Sequence, residues 1–154
     1  FGTNEGFSQS LSVGQFESDL RAQVRRIRRL AGPDVPILLL GAPDANTSNI
    51  AIAGNYGQPR ACPGSDGGSS WYTPTLLGAI REQQRRIARE MGLAFWDWSQ
   101  AMGGMCSAMR WRNADPPMMR GDHVHFTRAG GGRIGQMLFE DVDAAFTAAT
   151  RSRR

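Results

Sequence analysis

Apolar residues recur at Val13, Phe16, Leu20, Val24, Ile27 and Leu30, at gaps of three and four that place them on one stripe of a helix. Ser12 followed by Gln15 fits a capping box at its start, and Gly32-Pro33 ends it. Pro36-Ile37-Leu38-Leu39-Leu40 follows, a continuous apolar run too short for a helix, which fits a strand buried on both faces. Residues 41–72 have no sustained period and read as a long loop. Thr73-Pro74 predicts a second helix, with Thr73 as N-cap and Leu76, Leu77, Ile80, Ile87, Ala88 and Met91 on its apolar face. Gly92 fits a left-handed cap at its end. Leu93-Ala94-Phe95-Trp96-Asp97-Trp98 reads as a second strand, and 99–124 as irregular chain. A last helix is expected from Thr127 to about Ala149, with Ile134, Met137, Leu138, Val142, Ala145 and Phe146 inward. Gly130, Gly131 and Gly132 weaken its first turns by up to ~1 kcal/mol each.

Strands alternating with helices imply βαβ crossovers and a parallel sheet. Two strands are few for three amphipathic helices, since an average sheet has about five or six. Phe1-Gly2 reads as the end of another strand, and further strands of the sheet are expected upstream of it.

Composition narrows the function classes. The chain has 154 residues, 40% hydrophobic, a composition that fits one soluble domain with a real core. No stretch approaches the ~18 uninterrupted apolar residues of a spanning helix, so no membrane span is expected. The net charge of +4 invites a nucleic-acid partner, but every basic residue is arginine, and three of them (Arg151, Arg153, Arg154) lie in the last four positions. Without them the charge falls to about +1. Residues 151–154 are therefore read as a basic tail on a domain over 1–150, and no nucleic-acid role is expected. The start, Phe1-Gly2-Thr3-Asn4, lacks both a methionine and a signal-peptide pattern, and a processing or cloning boundary is expected there.

Two segments can carry chemistry. The histidines sit together in Gly121-Asp122-His123-Val124-His125-Phe126-Thr127. An aspartate three residues before a histidine lets one turn set carboxylate beside imidazole, which suits His125 as a base oriented by Asp122. A surface turn has the same spacing. A metal reading of Asp122, His123 and His125 finds no further matching ligands, so no metal is expected. Gly2-Thr3-Asn4-Glu5 is a small polar turn after a strand end, at the sheet edge where ligands bind in open α/β folds. Asn4 there can aim an N–H at a developing oxyanion, or merely bond its own backbone. Trp71 and Trp111, in or beside loops, are candidates to bind substrate, whereas Trp96 and Trp98 read as core.

Taken together, the Gly-Thr-Asn-Glu turn and the late Asp-x-x-His-Phe-Thr segment resemble the SGNH hydrolases, the GDSL-type esterases. Phe95-Trp96-Asp97-Trp98, Met102-Gly103-Gly104 and the 121–127 segment look like the bacterial extracytoplasmic branch that includes peptidoglycan O-acetylesterase-like proteins. The resemblance implies a three-layer α/β/α sandwich of flavodoxin-like type. It matches Asn4 to the oxyanion asparagine, Asp122 to the orienting aspartate and His125 to the general base. It implies hydrolysis of carboxylic, notably acetyl, esters, with O-acetyl groups of a cell-envelope glycan as substrate, and it implies no cofactor. It also implies a periplasmic or secreted location, in which Cys62 and Cys106 can join as a disulfide between two loops.

The chain departs from the family where the nucleophile should be. No Gly-Asp-Ser occurs, and Ser65 lacks a preceding strand and is not assigned that role. The nucleophile and the missing strands are expected together, upstream of Phe1, which makes this chain the C-terminal part of one domain. Its partners are then the ester substrate and the N-terminal part of the same domain. The alternative is a non-catalytic SGNH-like module that binds glycan or a partner.

Overall fold

The computed structural model describes residues 2–64 and 68–151. The elements run α1 (Thr3–Gly6), α2 (Val13–Ala31), β1 (Leu38–Leu40), α3 (Ile50–Ala53), α4 (Thr75–Glu90), β2 (Ala94–Trp96), α5 (Trp98–Met102), α6 (Ser107–Arg112) and α7 (Arg128–Arg151). Phe1, Ser65 and the tail beyond Arg151 lie outside the described residues.

β1 and β2 pair in parallel, with Leu38 opposite Ala94, Leu39 opposite Phe95 and Leu40 opposite Trp96. Alternation of side chains sorts them to two faces. Leu39 and Phe95 pack with α2 and α4 residues around Val24 and Ala88. Leu40 and Trp96 join Met102, Ala108, Trp111, Met119 and Ile134, drawn from α5–α7 and the chain between them.

The expected strands are shorter than their apolar runs, and β1, expected to be buried on both faces, leaves Leu38 42% exposed beside an open groove. The second ends at Trp96 because Asp97 accepts the Gln100 N–H at 2.9 Å and starts α5, which takes Trp98 out of the strand. The loops expected over 41–72 and 99–124 contain α3, α5 and α6. Thr73 does not cap α4; Pro74 holds that position. The Thr73 hydroxyl instead donates to the buried Asp44 carboxylate at 3.0 Å.

α2 begins at the predicted place, with Ser12 Oγ accepting the Gln15 N–H at 3.1 Å, but the capping box is only half formed, because Gln15 Nε2 donates to Asp19 Oδ1 at 2.9 Å instead of reaching back. Phe16, Leu20 and Val24 are buried, but Ile27 and Leu30 are exposed, so the stripe outruns the surface it covers. Across α2 and α4, Glu17 and Glu90 each pair with both Arg21 and Arg86. Gly92 is left-handed (φ 63) and closes α4, as expected.

α7 follows the same pattern. Ile134 is buried and Met137 and Leu138 pack on the core, but Val142, Ala145 and Phe146, expected inward, are exposed. A groove of about 450 Å³ separates Val142 and Ala145 from Leu38 and Phe95, so among the described residues nothing fills that face. Gly130 has a packing reason: a Cβ there would lie 1.9 Å from the Met118 carbonyl oxygen. No helix among the described residues is long and apolar enough to cross a membrane.

Candidate functional site

The 118–127 segment doubles back on itself. Arg120 N–H donates to the His125 carbonyl at 2.8 Å, and Thr127 N–H donates to Met118 at 3.1 Å. At its tip Asp122 Oδ1 accepts the backbone N–H groups of Val124 and His125, both at 2.9 Å. Its other oxygen meets His125 Nδ1 at 2.8 Å. One carboxylate therefore fixes the turn and the ring together, and the pairing leaves Nε2 free of the carboxylate. Partial burial pushes the Asp122 carboxyl up, but the two N–H donors and the His125 ring outweigh it and bring it down to about 2. The carboxylate thus stays ionised well below the ordinary carboxylate range.

His123 is the residue that lets the tip turn. It is left-handed (φ 57), which is uncommon for a non-glycine residue. It is fully buried, and its ring stacks on Trp71 with centroids 3.8 Å apart and planes 9° apart. Its carbonyl accepts the Asn46 N–H at 3.0 Å. Asn46 in turn donates from Nδ2 to the Thr73 hydroxyl at 3.0 Å, and Thr73 donates to Asp44. Burial pushes the Asp44 carboxyl up, against the lowering effect of the Ala108 N–H, of Arg81 and of the Thr73 hydroxyl. The two imidazoles have different surroundings, His123 buried on Trp71 and His125 largely exposed beside Asp122.

Asn4 comes from the other side. It sits in α1, whose start is fixed by Gly2 and whose end by Gly6. Gly2 (φ 116) donates to Glu5 Oε2 at 2.8 Å and packs so close to Ala42 that a Cβ would lie 2.8 Å from that side chain. Gly6 meets Leu77 of α4, where a Cβ would come within 2.7 Å. Asn55 Nδ2 donates to the Gly6 and Ser8 carbonyls, at 3.2 and 2.6 Å.

Asn4 and His125 line one cleft of about 400 Å³. Leu40, Gly41 and Pro43 form its wall at the carboxyl end of β1, and Trp98 does so just past β2, which is the edge where open α/β sheets bind ligands. Phe126 stacks on Trp98 with centroids 5.5 Å apart. Among the described residues lining the cleft, only Thr3 carries a hydroxyl and none is a serine or cysteine.

The other candidates fall elsewhere. Trp71 supports His123 rather than lining the cleft. Trp111 is buried, and its Nε1 donates to the Met102 carbonyl at 3.0 Å. The cleft tryptophan is Trp98, missed because its apolar run reads as strand throughout. Cys62 and Cys106 are joined as a disulfide, Cα atoms 5.4 Å apart, and no free cysteine remains. The bond lies beside the buried network: Cys62 N–H donates to the Trp71 carbonyl at 2.7 Å, and Cys106 N–H to the Thr73 hydroxyl at 3.2 Å.

No family model matches the chain, and no curated protein does. A solved structure of a peptidoglycan O-acetylesterase is similar to it, with a TM-score of 0.75 and 30% identity over 96% of this chain. The match covers 36% of that chain, so this one spans about a third of its length. The chain thus shares its fold with part of an esterase, and its small parallel sheet with flanking helices belongs to that fold.

Proposed function

We propose that this chain is the acid–base half of a serine ester hydrolase of the SGNH type, acting on acetyl esters of a cell-envelope glycan. The observation that carries the reading is the Asp122–His125 pair at 2.8 Å, whose histidine lines the same cleft as Asn4. The similarity to a peptidoglycan O-acetylesterase supports the ester chemistry and the glycan substrate.

In this reading a serine approaches His125 from a strand preceding Gly2. Gly2 supports that placement, because it lies against Ala42 just past β1, whose other edge is occupied by β2. A strand leading into Gly2 would run along β1, extend the parallel sheet and complete a three-layer sandwich. His125 takes the serine proton as the hydroxyl attacks the acetyl carbonyl, and returns it to the leaving sugar oxygen. Asp122 holds the ring and stabilises the imidazolium. Asn4 donates to the tetrahedral oxyanion, an interaction typically worth ~3 kcal/mol. Water then hydrolyses the acetyl ester by the same proton path. No residue role here calls for a metal or cofactor. The disulfide and the glycan substrate favour a periplasmic or secreted site of action.

The absence of a serine among the described cleft residues favours one second reading, a module of this fold that binds glycan without turnover. Labelling the whole protein with a fluorophosphonate, followed by peptide mapping, separates the two. The enzyme reading expects one labelled serine on a segment preceding Gly2, with labelling lost in His125→Ala. An unlabelled protein, or labelling indifferent to His125, leaves the binding module.

A further inference from the structure

A second cleft, of about 300 Å³, opens next to the first. Pro43 connects them: it lines the first cleft, and its carbonyl accepts from Arg81 Nη1 at 3.2 Å, while Arg81 lines the second. Arg60, Gln58, Thr73, Thr75 and Gly78 complete much of the second lining, and no acidic side chain lines it among the described residues.

Its charge is built in. The Arg81 side chain is only 12% exposed, and Asp44 lies behind it at 3.7 Å. That carboxylate is already engaged by the Thr73 hydroxyl and the Ala108 N–H, and Arg110 acts on it as well. Arg81 Nε and Nη2 take no acceptor among the described residues and are not closed off from solvent. Arg60 is exposed at the rim and pairs with no carboxylate among the described residues. Arginine cations thus outnumber the one buried carboxylate, and a guanidinium fork suits a planar oxyanion. Gly78 leaves open space, since a Cβ there would meet nothing within 4 Å. The volume admits a sugar-sized group.

We propose that this second cleft is a carboxylate subsite, which holds the acidic group of a sugar whose ester occupies the first cleft. The ester half of that statement rests on the hydrolase reading above; the carboxylate half rests on the cleft itself.

The test is an NMR titration of isotope-labelled protein with three probes: N-acetylmuramic acid, N-acetylglucosamine, which lacks the carboxylate, and inorganic phosphate. N-acetylmuramic acid should shift the amides of Thr75, Gly78 and Arg81 and bind about tenfold or more tightly than N-acetylglucosamine. Arg60→Gln should weaken it about fivefold. Arg81→Lys, which keeps a cation beside Asp44 but removes the fork, should weaken it about tenfold. Equal binding of the acidic and neutral sugars overturns the proposal. So does binding of phosphate without the acidic sugar, or binding unchanged in both arginine variants. No turnover is read, so an absent esterase activity and an absent carboxylate site give separate results.

Discussion

Replacing Gly130 with alanine should destabilise the protein, although alanine is the better helix former. The added Cβ would lie 1.9 Å from the Met118 carbonyl oxygen and 2.8 Å from its carbon. Relief requires a shift of about 1.5 Å between α7 and the chain before it, since ordinary contacts begin near 3.4 Å. Neither side gives easily. The Met118 carbonyl accepts the Thr127 N–H, and the Gly130 N–H donates to Thr127 Oγ1 at 3.2 Å. Glycine to alanine contributes about 1 kcal/mol in a free helix. Forcing a methyl into a packed contact costs about 1–3 kcal/mol, and more where backbone must move. The net expectation is a loss of about 2 kcal/mol, roughly a thirtyfold change in the folding equilibrium. Gly131 is the control, because a Cβ there meets nothing within 4 Å, and Gly131→Ala should gain about 0.5–1 kcal/mol. Urea denaturation with a shared m-value reads both. Shifts of the same sign, or a Gly130→Ala protein as stable as wild type, would mean that the Gly130–Met118 contact does not resist a methyl group. Because Met118 begins the segment that carries Asp122 and His125, the same variant should also slow ester hydrolysis.

Reducing the Cys62–Cys106 bond, which spans a sequence separation of 44, should lower stability by about 4 kcal/mol by freeing the unfolded chain; unchanged urea midpoints with and without reductant would contradict this. Asp122 titrates below its ordinary value in the folded state, so its stabilising effect is complete above about pH 4 and is lost as pH falls towards 2. The side chain is 48% exposed, which limits the effect to under about 1 kcal/mol after screening. The stability gap between wild type and Asp122→Asn should therefore shrink between pH 7 and pH 2.5, and a constant gap counts against the pairing. Asn4→Ala should lower kcat about 10²–10³-fold with a small change in KM, as measured with p-nitrophenyl acetate; a change confined to KM would reassign Asn4 to ground-state binding.

Helices α2, α4 and α7 and both strands are legible in the sequence because each carries a regular apolar stripe or a short apolar run, even where only part of it is covered. The errors fall where periodicity carries no information. Ile27, Leu30, Val142 and Phe146 continue a perfect helical stripe, yet the described structure has nothing for them to pack against. A pattern records which face is apolar and not how far the neighbour extends. Thr73 precedes proline as an N-cap should, but buried Asp44 takes its hydroxyl, a partner 29 positions away. Trp98 belongs to an apolar run that continues the strand, and only the Asp97 cap turns it into the cleft. At the site, the Asp122–His125 pairing is local and therefore readable from a spacing of three. The Trp71–His123 stack and the second arginine cleft depend on distant segments meeting, and no local signal announces either.

In the proposed reading His125, held by Asp122, is the acid–base group of an ester hydrolase. The direct measurement is kcat/KM for p-nitrophenyl acetate with the whole protein and with His125→Ala, after matched far-UV spectra show both folded. A measurable esterase is expected in the wild type, and a loss of about 10³-fold or more in the variant. A folded His125→Ala protein that keeps the wild-type rate would contradict it.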